Sequence, residues 1–135
     1  MRVLKHPKLQ RFLDTLKRLL DEVDDYLEDQ YGDRYRLHPA RAPRGATANK
    51  ATSGLFSVNA NFSAGFGSDH GRGYVLEFRI VTLEEVPDEI EEEIDEAAAG
   101  KIAELLPKYF PDRQLTVSRD GHLFKLHGDL SLGTV

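Results

Sequence analysis

Between Leu55 and Leu83 the residues alternate between apolar and polar, and this pattern restricts the fold more than any other in the chain. Phe56, Val58, Ala60, Phe62, Ala64 and Phe66 alternate with Ser57, Asn59, Asn61 and Ser63, and after a glycine-rich break Tyr74, Leu76, Phe78 and Ile80 resume the pattern. Successive side chains of a strand point to opposite faces, so a period of two predicts two half-buried strands. With Gly67 to Gly73 as the connection, Phe66 is expected opposite Tyr74 and Phe62 opposite Phe78, which puts both apolar rows on one face. That face needs a covering layer.

Two amphipathic stretches supply it. Pro7 suits the first turn of a helix, and Leu9, Phe12, Leu16, Leu19, Val23 and Tyr26 recur at spacings of three and four, with Leu13, Leu20 and Leu27 beside them. Gly32 follows as a C-terminal cap, giving a helix of about 25 residues and about 37 Å. A typical strand spans about 17 to 20 Å, so the overhanging stripe either packs on the core or meets a second copy. Val86-Pro87 opens a second helix with the stripe Ile90, Ile94, Ala97, Ala98, Ile102, Leu105 and Leu106, ending near Pro107.

Leu115, Val117, Phe124 and Leu126 predict a second hairpin, turning through Arg119-Asp120-Gly121-His122 with Asp-Gly at the centre of a type I′ turn. Tyr35 and Leu37 alternate with Arg34, Arg36 and His38, the pattern of a short strand over 33–38 that Pro39 ends. From Pro39 to Ser53 there is no apolar periodicity, and the segment reads as a long mobile loop. The expected architecture is a single α+β domain over 1–135, in order α-(β)-β-β-α-β-β. An antiparallel sheet of four to five strands carries two helices on one face, with a flexible basic loop at 39–53. This element order, in a small acidic chain, resembles that of type III secretion chaperones, dimers that hold unfolded segments of their clients. The likeness is one of element order, and the Arg-rich loop is no part of that pattern.

Charge is distributed unevenly. The net charge is −5, yet from Arg34 to Ser68 there is no Asp or Glu, while Arg34, Arg36, Arg41, Arg44 and Lys50 are all basic. From Glu84 to Glu96 nine acidic residues stand without a base. The basic set, with Arg72, is the candidate anion-binding group, since arginine matches phosphate bidentately. An internal partner competes with an external one: the acidic start of the second helix. The acidic run itself reads as a solvated helix face, some of it favoured there by the helix macrodipole, with nothing apolar to raise a carboxyl pKa.

No stretch carries a recognisable chemistry. The chain lacks cysteine, which excludes disulfides and thiolate ligands or nucleophiles. Ser68-Asp69-His70 has the residue types of a hydrolase triad, but three consecutive residues cannot align their side chains. Asp120, His122, His127 and Asp129 offer oxygen and nitrogen donors, but His122 and His127 fall on opposite strand faces, so no metal set is assigned. His6 and His38 precede prolines and stand alone. The glycine-rich Gly65 to Gly73 lies between two strands, where a phosphate-cradling loop would precede a helix. No catalytic, cofactor or metal residues are assigned. Asn59, Asn61, Glu77 and Arg79 line the polar sheet face, where two asparagines on one strand, a poor strand former, suggest a platform. Asn61-Phe62-Ser63 matches a glycosylation sequon, but a strand face fits it as well. No apolar run approaches the ~18 residues of a membrane span, and a cytoplasmic location is expected. The leading expectation is a non-enzymatic, dimeric binding or adaptor protein with a protein partner. Nucleic-acid or polyanion binding through the basic loop, and an enzyme of unidentified reaction, are the alternatives.

Overall fold

The computed structural model describes residues 7–65 and 71–130. The elements are α1 (Pro7–Tyr31), β1 (Phe56–Ser63), β2 (Gly73–Ile80), α2 (Asp88–Tyr109), β3 (Leu115–Asp120) and β4 (Leu123–Gly128), with a short 3-10 turn at Lys50–Thr52 before β1. The four strands form one antiparallel sheet in the order β1-β2-β4-β3.

The 3.6-residue stripes of both helices and one face of the sheet meet in a single core. Leu16, Leu19, Val23 and Leu27 of α1, Ile94, Ala98 and Ile102 of α2, and Phe56, Val58, Leu76 and Leu126 of the sheet are all buried. Full burial of a side chain such as Phe56 contributes roughly 1.5 to 3 kcal/mol. At one end the Phe12 ring meets Tyr74 and Phe110 at 5.6 and 5.0 Å. Elsewhere Lys108 Nζ and Tyr109 Oη donate to Glu22 Oε1 at 2.9 and 2.7 Å, tying the end of α2 to α1.

α1 runs from Pro7 to Tyr31 as its periodicity and caps predict, and Gly32 N–H closes it on Glu28 O at 2.9 Å. The 33–38 segment is not a strand. His38 N–H donates to Val81 O at 2.9 Å, but Pro39 has no N–H with which to continue a ladder.

The central hairpin departs from its expected register. Phe62 pairs with Tyr74, and Phe78 pairs with Val58. The apolar rows still share a face, because the offset is an even number of residues. Pairing stops at Ser63 and Gly73, so the connection is longer than the glycine-rich segment assumed. Gly65 is already out of the ladder at φ +91°, against the backbone of Gly71, where a Cβ could not fit. Phe66 lies outside the described residues. In the second hairpin β3 and β4 pair as far as Asp120 and Leu123, so the two turn residues are Gly121 and His122. φ is positive at Gly121 alone, which is the type II′ pattern rather than type I′.

Candidate functional site

Two surfaces are built by what precedes and includes β1. The first is where the 39–53 segment lies on α1. Arg41, half-buried, donates from Nε to Gly54 O at 3.0 Å and from Nη2 to the carbonyls of Ala51, Ser53 and Phe56 at 2.7, 3.2 and 3.0 Å. From the opposite side Glu28 Oε1 accepts the N–H of Phe56 at 3.0 Å. One arginine and one glutamate thus satisfy the backbone groups that the turn into β1 leaves without ladder partners. Gly54 sits between them at φ +77°, where a Cβ would collide with the Glu28 carboxylate. Burial raises the Glu28 pKa, and the Phe56 N–H opposes that.

Arg44 reaches Asp29 at 3.0 Å and Asp25 at 3.4 Å, and Lys50 reaches Asp25 at 3.0 Å. Lys17 of α1 donates to Asn49 Oδ1 at 2.8 Å. The basic loop therefore has an internal acidic partner, but it is the last turns of α1 and not the start of α2. The acidic run of α2 is met by Arg119 of β3, which lies 3.3 Å from Glu92 and 3.4 Å from Glu96. Within that run Asp95 is half-buried, and burial, aided by Glu91 and Glu92, pushes its pKa up to about 6 against the pull of Arg119. The run is not uniformly a solvated face.

The six anion-binding candidates are not brought together. Arg41, Arg44 and Lys50 hold the loop as described. Arg34 lies over the Tyr31 ring at 5.2 Å, the backbone N–H of Arg36 donates to the Glu84 carboxylate, and Arg72 is exposed beside β2.

The second surface is the sheet edge. The polar-face candidates share one face in opposed pairs, Asn59 with Glu77 and Ser57 with Arg79, while Asn61 stands opposite Val75. Asn59 Nδ2 donates to Ser57 Oγ at 2.9 Å. Lys125 is on this face too, yet it is buried, and its Nζ donates to Gly71 O.

β1 is an outer strand. Val81 N–H donates to Leu55 O at 2.7 Å, so odd-numbered residues of β1 turn their backbone groups toward β2 and even-numbered ones turn them outward. Phe56, the first outward residue, is met by Glu28 and Arg41. Val58, Ala60 and Phe62 have no such partner among the described residues. The strand carries no charge, no proline and no bulge. Phe62 is 62% exposed and meets Tyr74 edge-on at 5.7 Å, and Tyr74 meets Phe12, flanked on α1 by the exposed Leu9 and Leu13. The opposite edge is guarded: β3 is shorter and carries Arg119 and Asp120.

The histidines take no common site. His122 is exposed in its turn, His127 Nε2 is 2.8 Å from Ser118 Oγ, and no three His, Asp or Glu side chains group for a metal among the described residues. His6 and Ser68-Asp69-His70 lie outside the described residues. No described helix is long and apolar enough to cross a membrane.

A family model described as "Uncharacterised protein" matches residues 7–128, from the first residue of α1 to the last of β4. A protein of Borreliella burgdorferi (strain B31), described as "Uncharacterized protein", is 37% identical over 121 residues, covering 90% of this chain and 94% of its own length. No solved structure matches the chain.

Proposed function

We propose, for a chain that belongs to this family of uncharacterised proteins, a non-enzymatic protein-binding role exercised as a homodimer that joins its two sheets through β1. The observation that carries the reading is the β1 edge beyond Phe56, where Val58, Ala60 and Phe62 have no outward backbone partner among the described residues. Soluble proteins protect exposed edges with charges, prolines, bulges or short strands, and β1 has eight residues and none of these devices. A second copy is the occupant such a strand fits best, because an uncharged strand is complementary to itself about a two-fold axis.

Centred on Ala60, the antiparallel pairing sets Val58 against Phe62 of the second copy. It satisfies the N–H and C=O groups of Val58, Ala60 and Phe62 in both copies. Asn59 then faces Asn61 of the second copy on the open side, which gives the two asparagines a shared polar surface. The exposed Phe62 gains an apolar neighbour. A continuous sheet with one polar face is the platform on which a protein partner would be bound.

Light scattering at ~100 µM, well above the micromolar range of weak association, is expected to give twice the mass of one chain. Phe62→Lys, a change at an exposed site that places a guarding charge on the edge, is expected to give a folded monomer. A monomeric mass for the natural sequence, or a dimer that Phe62→Lys leaves intact, overturns the proposal.

A further inference from the structure

Between α1 and the 44–53 segment lies a cavity of about 350 Å³, lined by Asp24, Asp25, Arg44, Thr47, Lys50 and Ser53 among others. Asp24 is 4% exposed, and its Oδ2 is buried without a hydrogen-bond partner. A buried carboxylate left without a donor is costly, and native structures avoid it unless something fills the place.

The charges around it are one cation short. Asp21, Asp24, Asp25, Glu28 and Asp29 stand along this part of α1. Facing them, Lys17 pairs with Asp21 at 2.6 Å, Arg44 and Lys50 are engaged by Asp25 and Asp29, and Arg41 is turned to four carbonyls. Asp24 is the carboxylate left over. Burial, with Glu28, Asp25 and Asp21 adding like charge and Lys17 opposing, pushes its pKa up to about 7. Ionising that carboxylate is therefore costly through burial and like charge, a cost that a bound cation would offset.

We propose that this cavity is a binding site for a small primary ammonium compound, its charged end held by the Asp24 carboxylate and its short chain within the cavity. An ammonium group has three donors and one positive charge, which supplies both the missing hydrogen bond and the missing cation. A metal ion is the poorer fit, since among the described residues no three His, Asp or Glu side chains converge there. The cavity, at the small end of the range for small-molecule pockets, admits a small organic molecule and excludes a folded partner.

The probe is n-butylamine, with 1-butanol as its neutral counterpart, added to the full chain while the Asp24 carboxyl carbon is followed by NMR. The amine at ~50 mM is expected to lower the Asp24 titration midpoint by about one pH unit or more, as an opposite charge at contact does, and butanol is expected to leave it in place. Asp24→Asn is expected to weaken amine binding at least about tenfold at about pH 8, where the natural side chain is ionised. Should Asp24→Asn fail to fold, the titration of the natural chain decides alone. An unmoved midpoint, an equal response to butanol, or undiminished amine binding by a folded Asp24→Asn variant overturns the proposal and leaves the cavity to water.

Discussion

Two residues show how differently the same residue type is used. Arg41 and Arg44 belong to one basic segment, but Arg41 is half-buried against four carbonyls, whereas Arg44 makes ion pairs at the surface. Hydrogen bonds to a charged donor are worth about 1.5 to 3 kcal/mol, and exposed ion pairs about 0 to 1. Arg41→Ala is therefore expected to cost on the order of 2 to 3 kcal/mol in denaturant titration, and Arg44→Ala less than about 1. Equal costs would remove Arg41 as the organiser of the turn into β1. Asp24 makes the largest contribution to the pH dependence, with the raised carboxyls of Asp95 and Glu28 acting in the same direction. Its pKa rises from 3.8 unfolded to about 7 folded, so the folded state binds the additional proton between these values. The stability contribution is complete below the unfolded pKa and is lost as pH rises through the folded one. Stability is expected to fall from about pH 4 to pH 7 in chemical denaturation, and Asp24→Asn to flatten this fall and add on the order of 1 to 3 kcal/mol at about pH 8. A variant less stable than the natural chain at that pH contradicts the assignment. Arg41 illustrates what sequence conceals. An arginine among Pro, Ala and Gly reads as exposed, because its carbonyl partners are set by the path of the loop. Asp24 was legible in principle, lying four residues after Leu20 and three before Leu27 on the buried stripe.

At the scale of elements, periodicity and end signals carried most of the fold. The α1 boundaries follow from Pro7, the apolar stripe and Gly32, and the two hairpins and α2 stand where alternation and the acidic helix start place them. The register of β1 on β2 was not legible, because apolar alternation continues through Ala64 and Phe66 while the ladder ends at Ser63. Composition cannot mark where pairing stops when both sides of that point obey the same pattern. Mutation separates the two registers. Phe56 is fully buried opposite Ile80, so Phe56→Ala is expected to cost about 3 to 5 kcal/mol. Phe62, 62% exposed in one copy, is expected to lose less than about 1 kcal/mol on truncation in a dilute, monomeric sample. A loss at Phe62 as large as that at Phe56 under those conditions would restore the other register. The candidate site was legible only in part: Asn59, Asn61, Glu77 and Arg79 do share a face, but that β1 is the outer strand depends on β4 pairing with β2, a long-range choice that no local pattern fixes.

For the molecule as a whole, β3 guards one edge of the sheet, the β1 edge beyond Phe56 is bare among the described residues, and the buried core leaves Phe62, Leu9 and Leu13 outside it. The proposed dimer accounts for the bare strand, its two asparagines and the exposed phenylalanine together. Amide hydrogen exchange reads the β1 edge directly, because odd and even residues of β1 direct their N–H groups to opposite sides. The amides of Ser57, Asn59 and Asn61, turned toward β2, are expected to be protected at every concentration. Those of Val58, Ala60 and Phe62 are expected to become protected together as the chain is concentrated to ~100 µM, above the micromolar range of weak association, and to lose that protection on dilution. Exchange at these three amides at unprotected rates throughout would contradict the β1-paired dimer.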